Sequence, residues 1–193
     1  MNEASKMFYY TAGWPLIEEM CPCDVHFTQY LEARGIKSKT IFHFGTGTHH
    51  HVGIRCHENG SNNAVLGITA SMEEAQAYVQ LAIDNPKLSK SYKAFFGDIY
   101  MLEARLLPEF DVVSLFHLCE FWGPEMVAAY GAMTDLEMLN LLTDKTRPGG
   151  LILFYMKSMA FDRAEPVIAE WEKVRKVERV EEFKTLLVYR KKA

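Results

Sequence analysis

Residues 40–60, TIFHFGTGTHHHVGIRCHENG, decide the fold. An apolar run meets a Gly-Thr-Gly turn at 45–47 and passes into three consecutive histidines, His49, His50 and His51. A glycine turn between strand and helix offers backbone groups to a nucleotide-like ligand, whereas clustered His and Cys side chains bind zinc. The histidine run is a poor chelator. On a helix, adjacent side chains point about 100° apart, while ligand pairs need i,i+3 or i,i+4 spacing. His50 with His57, and Cys56 beside His57, leave no four-ligand set, and Cys21-Pro-Cys23 reads equally well as two small buried hydrophobes. The histidines are expected to flank the loop, with His49 or His50 near a ligand carboxylate. No metal is expected, and purified protein should hold well under one equivalent of zinc.

Outward from this stretch, strands and helices alternate. A helix over 24–34 closes at Gly35, KTIFHF forms a strand, a helix follows near 50–58, and NNAVLGI forms the next strand. Ser71-Met-Glu-Glu74 has capping-box spacing, so a helix starts there and runs to Asn85-Pro86. YKAFFGD is a strand, and FDVVSLFHL is a continuous apolar run of the kind buried on both faces of a parallel sheet. Pro124 and Thr134-Asp-Leu-Glu137 open two helices, and RPGG turns into the strand LILFYM. After a helix near 162–174, KVERVEEF and KTLLVYRKK follow with almost no spacer, which suits a hairpin and an antiparallel last strand. The pattern predicts an α/β fold, a doubly wound and mostly parallel sheet with helices on both faces. Ligands in such sheets sit at the carboxyl ends of the strands, so residues 45–48, 69–71, 98–100 and 117–121 should face one crevice.

A chain of 193 residues that is 49% hydrophobic can bury one sizeable core. Residues 1–37 are expected to form an N-terminal helical segment or lid on a single globular unit spanning 38–193. A net charge of −4 argues against a protein that neutralises rows of phosphates, so no nucleic-acid partner is expected. No 18-residue apolar stretch or signal-like N-terminus occurs, and the four cysteines are unevenly spaced. These features point to a cytoplasmic protein with reduced thiols and no membrane partner, free to form a homodimer.

Five motifs in order, HFGTGT, GITAS, FFGDI, FDVVSLFHLCE and RPGG, followed by the hairpin, resemble the class I S-adenosylmethionine-dependent methyltransferases over about residues 38–192. The resemblance implies a Rossmann-like, seven-stranded sheet and S-adenosyl-L-methionine as cofactor, while the mild acidity and small size of the chain favour a small-molecule acceptor. It assigns cofactor contacts to His43, Gly45, Thr46, Gly47, Thr48, Thr69, Ser71, Asp98, Ile99 and Phe116, with Asp98 at the adenine amino group. Two positions depart from the family. Where the family usually ends its first strand with an acid stands His43, and where an acid usually binds the ribose hydroxyls stands Thr69. A threonine offers fewer acceptor sites than a carboxylate, so ligand binding is expected to be weakened by about 1–3 kcal/mol per lost strong bond. Thr69→Asp is accordingly expected to tighten it.

Methyl transfer to a protonated acceptor needs in-line placement and a base within reach. His117 and Glu120 follow the fourth strand and are the candidates. Tyr9, Tyr10 and Trp14 are the candidates for an aromatic lid over the crevice. The rival readings are a relative that has lost catalysis and serves binding or assembly, and an α/β enzyme that uses the same ligand for another reaction.

Overall fold

The computed structural model describes residues 13–193; Tyr9 and Tyr10 lie outside the described residues. Seven strands, β1 (Thr40–Phe44), β2 (Ala64–Thr69), β3 (Tyr92–Phe96), β4 (Phe110–Leu115), β5 (Thr146–Tyr155), β6 (Val177–Phe183) and β7 (Leu186–Lys191), form one sheet in the order β3-β2-β1-β4-β5-β7-β6. β1 to β5 pair in parallel, and β7 runs antiparallel to both β5 and β6. The helices are α1 (Cys23–Ala33), α2 (His51–Glu58), α3 (Met72–Asp84), α4 (Leu88–Ser91), α5 (Pro124–Tyr130), α6 (Asp135–Lys145) and α7 (Phe161–Val174). Among the described residues, no helix is long and apolar enough to cross a membrane.

The continuous apolar strands are explained by two cores. Side chains alternate across a strand, and here Ile41, Val65, Val112, Leu153 and Val188 point to one face while Phe42, Val113, Ile152, Phe154 and Leu187 point to the other. Phe27, Tyr30 and Leu31 of α1 and Val52 and Cys56 of α2 cover the first face. Leu139 and Leu142 of α6 and Ile168 and Trp171 of α7 cover the second. Trp171 is fully buried, and its indole N–H donates to Thr143 Oγ1 at 2.8 Å, which satisfies the single polar atom that burial would otherwise strand.

Three details differ from the sequence expectation. RPGG is not a turn before the fifth strand. It bulges within β5: Thr146 pairs with Phe110, Leu151 pairs with Val112, and the extra residues loop out between them, with Gly149 at φ +80°. The helix after the histidines begins at His51, because His50 adopts φ +46° and ends the turn instead of joining the helix. Between β2 and β3 the chain also inserts the short α4.

Candidate functional site

The sheet order reverses between β1 and β4, and the crevice opens above their carboxyl ends, at the switch point of a doubly wound sheet. It encloses about 380 Å³, within the range of small-molecule sites. Of the residues singled out from sequence, Trp14, Gly45, Gly47, His49, Thr69, Ser71, Asp98, Ile99, His117 and Glu120 line it. His43, Thr46 and Phe116 are buried behind the lining: Phe116 packs edge-on against Phe27 and His43 in the core. Thr48 instead ties down the segment around Trp14, its N–H donating to the Trp14 carbonyl at 2.9 Å.

The glycine turn is sterically enforced. Gly45 and Gly47 take φ +85° and +57°, and a Cβ on Gly45 would meet the His117 ring at 2.4 Å while one on Gly47 would meet the His49 ring at 2.2 Å. The three histidines go to separate partners. His50 is buried between the Tyr92 hydroxyl (2.8 Å) and the Glu74 carbonyl (3.0 Å); burial pulls it down to about 4, against the opposing carbonyl contact, so it is a neutral packed side chain. His51 meets Thr28, and His49 faces Asp24 at 3.9 Å. Among the described residues, no three His, Cys, Asp or Glu side chains come together to hold a metal ion.

The two strand-end residues His43 and Thr69 each have a carboxylate beside them, supplied by a helix. Beside His43 it is Asp24 of α1: His43 Nδ1 bonds Ser114 Oγ at 2.8 Å, and its Nε2 lies 3.6 Å from Asp24 Oδ1, too long for a good hydrogen bond. Burial pushes the Asp24 carboxyl up, but the nearby imidazoles of His43, His49 and His117 outweigh it and hold the group below the usual carboxylate range. Beside Thr69 it is Glu74 of α3. Its Oε2 accepts from Thr69 Oγ1 at 2.6 Å and from Thr46 Oγ1 at 3.2 Å. The expectation for Thr69→Asp therefore reverses: an added carboxylate would stand against Glu74, and like charges in contact repel.

At the end of β3, Asp98 accepts from the Tyr100 N–H at 2.9 Å and the Tyr130 hydroxyl at 3.0 Å. Burial raises its pKa against those two bonds. At the end of β4, His117 Nδ1 lies 3.0 Å from Glu120 Oε2, and Ser158 Oγ donates to Glu120 Oε1 at 2.6 Å. Burial lowers the His117 pKa, but the hydrogen bond and charge of Glu120, aided by Cys21 and Asp24, raise it overall. Glu120 is correspondingly lowered despite burial. Cys21 and Cys23 stand with their sulfurs 3.4 Å apart in the same lining. The Cys23 hydrogen bond, helped by the His117 charge and opposed by burial, brings Cys21 down to about 6. Trp14 meets Phe121 edge-on at 5.9 Å across the mouth, and Cys119, at φ +65°, is core, its thiol pushed by burial to about 12.

Asp24, Glu74, Cys21 and Ser158 were not identified as site residues from sequence. The spacing of Glu74 suggested a cap and nothing more. Asp24 had no signal, since its partners come from β1 and from the loops after β1 and β4.

No protein family and no curated protein matches the sequence. Solved structures do match. The methyltransferase CcbJ from Streptomyces caelestis superposes with a TM-score of 0.65 at 12% identity, over 93% of this chain and 94% of that one. The cyclase SpnF superposes at 0.63 and 13% identity, over 95% and 87%. Coclaurine N-methyltransferase, solved with S-adenosylhomocysteine, superposes at 0.50 and 12%, over 75% of this chain and 38% of that one. The chain thus has the class I S-adenosylmethionine-dependent methyltransferase fold.

Proposed function

We propose that the protein binds S-adenosylmethionine and transfers its methyl group to a small-molecule acceptor. The observation that carries this reading is the oriented His117–Glu120 pair beside the Gly45–Gly47 turn in one crevice. Three features support the cofactor reading: the positive-φ backbone of Gly45 and of Gly47 lines the crevice after β1, and Asp98 lines it at the end of β3. When bound, the cofactor supplies an electrophilic methyl on a sulfonium.

The chain's own groups do the rest. Glu120 accepts the Nδ1 proton of His117 and so leaves Nε2 with a lone pair, the form that takes a proton from an acceptor hydroxyl, thiol or amine. Ser158 fixes the other carboxylate oxygen, which holds the pair in register. The rings of Trp14 and Phe121, which meet edge-on in the lining, would offer aromatic contact to the sulfonium cation.

Calorimetry with S-adenosylhomocysteine tests the reading. The expected dissociation constant is micromolar or looser, about −8 kcal/mol. No heat and no thermal shift at millimolar ligand would refute it. SpnF, named a cyclase, warns that this fold also serves other chemistry, so binding must be followed by transfer of labelled methyl into a small-molecule extract. Binding without transfer would favour a relative retained for binding or for another reaction.

A further inference from the structure

Glu74 is the third residue of α3, where the Ser71-x-x-Glu74 spacing should close a reciprocal cap. Half of the cap forms: Ser71 Oγ accepts the Glu74 N–H at 3.3 Å. The return bond is diverted, for the Ser71 N–H donates to Thr69 Oγ1 at 3.0 Å, and the Glu74 carboxylate turns toward the crevice. There it is 3% exposed, and among the described residues it accepts only from neutral groups: two threonine hydroxyls on Oε2 and the Trp14 backbone N–H, at a long 3.4 Å, on Oε1. Among the described residues no cation pairs with it. A buried carboxylate without a cation is costly, and a carboxylate has about four lone-pair sites, so this one retains acceptor capacity facing an open cavity.

Its place in the sheet says what it would accept from. Glu74 stands at the carboxyl end of β2, between the glycine turn after β1 and Asp98 after β3. In doubly wound folds a carboxylate near that strand end accepts the ribose hydroxyls of a bound nucleotide. We infer that Glu74 is the acceptor for the ribose diol of the ligand, a carboxylate moved from the strand end to the following helix, with Thr69 now serving to hold it. This rests on the cofactor reading above.

The test uses the full chain and S-adenosylhomocysteine by calorimetry. Glu74→Gln keeps the shape and an acceptor for both threonines but loses the charge, and it should weaken binding about 10- to 100-fold. Wild type should lose a similar factor for the 2′-deoxy form of the ligand, while Glu74→Gln should lose little more, since the two changes remove one interaction. Thr69→Asp should weaken binding in the wild-type background and restore it to within a few-fold in Glu74→Gln. Unchanged affinity in Glu74→Gln, or tightening by Thr69→Asp alone, would overturn the assignment while leaving the cofactor reading standing. The Thr69→Asp arm decides the matter even if Glu74→Gln fails to fold. A wild type that binds no ligand would overturn both.

Discussion

Two glutamates face the same crevice and are held in opposite ways. Glu74, at the end of β2, accepts from hydroxyls and an amide, none of which changes charge near neutrality. Glu120, after β4, is bonded to an imidazole, and each shifts the other's proton affinity. On the proposed function, the difference assigns one end of the site to holding a ligand and the other to moving a proton. Static acceptors suit recognition, whereas a coupled acid–base pair suits transfer.

The largest effect expected from breaking this division is on turnover. His117→Ala should lower kcat by about 10²- to 10⁴-fold and leave S-adenosylhomocysteine affinity within a few-fold, measured by labelled-methyl transfer beside calorimetry. Loss of affinity in parallel with rate would erase the contrast between the two ends. A smaller effect, about 10-fold in rate, is expected of Glu120→Gln, together with a diagnostic pH change. The base form of His117 exists above its pKa, and that pKa is raised because Glu120 outweighs burial. Wild-type activity should thus rise through a limb centred above pH 6.5, and the limb should move to lower pH in Glu120→Gln, where burial dominates. Titration of the His117 ring by NMR checks the same shift without an acceptor. The smallest effect concerns Cys21, whose thiol is held near 6 chiefly by Cys23 and in part by His117. Iodoacetamide at pH 6 should label Cys21 well before Cys56, pushed to about 11 by burial, and His117→Ala should slow that labelling only a few-fold, as mass spectrometry of the peptides would show.

The architecture was legible in the sequence because it rests on local patterns. Apolar runs such as FDVVSLFHL, the Ser71 and Thr134 caps, and the unspaced hairpin each fix an element from its own residues. RPGG misled because a Pro-Gly-Gly sequence marks a turn locally, while pairing with Phe110 and Val112 on both sides draws it into β5 as a bulge. The site was half legible. Gly45, Gly47, Asp98, His117 and Glu120 follow directly from strand ends. Asp24 and Glu74 do not, since each reaches its strand end from a helix, and no spacing rule relates position 24 to position 43. His43 and Thr69 were visible in the sequence as strand-end residues, but the carboxylates beside them were visible only in the fold.

The position of β7 bears on how the protein is made. β7 is the last of the seven strands to leave the ribosome, yet it lies between β5 and β6. Until it emerges, β6 has no neighbour to pair with, and β5 presents an open row of backbone donors and acceptors, a template for another chain. The sheet cannot grow in order of synthesis, and its closure waits for the hairpin to fold back and insert. Nascent chains on a polysome therefore carry this open edge from the emergence of β5 until β7 follows it, and ribosome-associated chaperones are the natural guard for that interval.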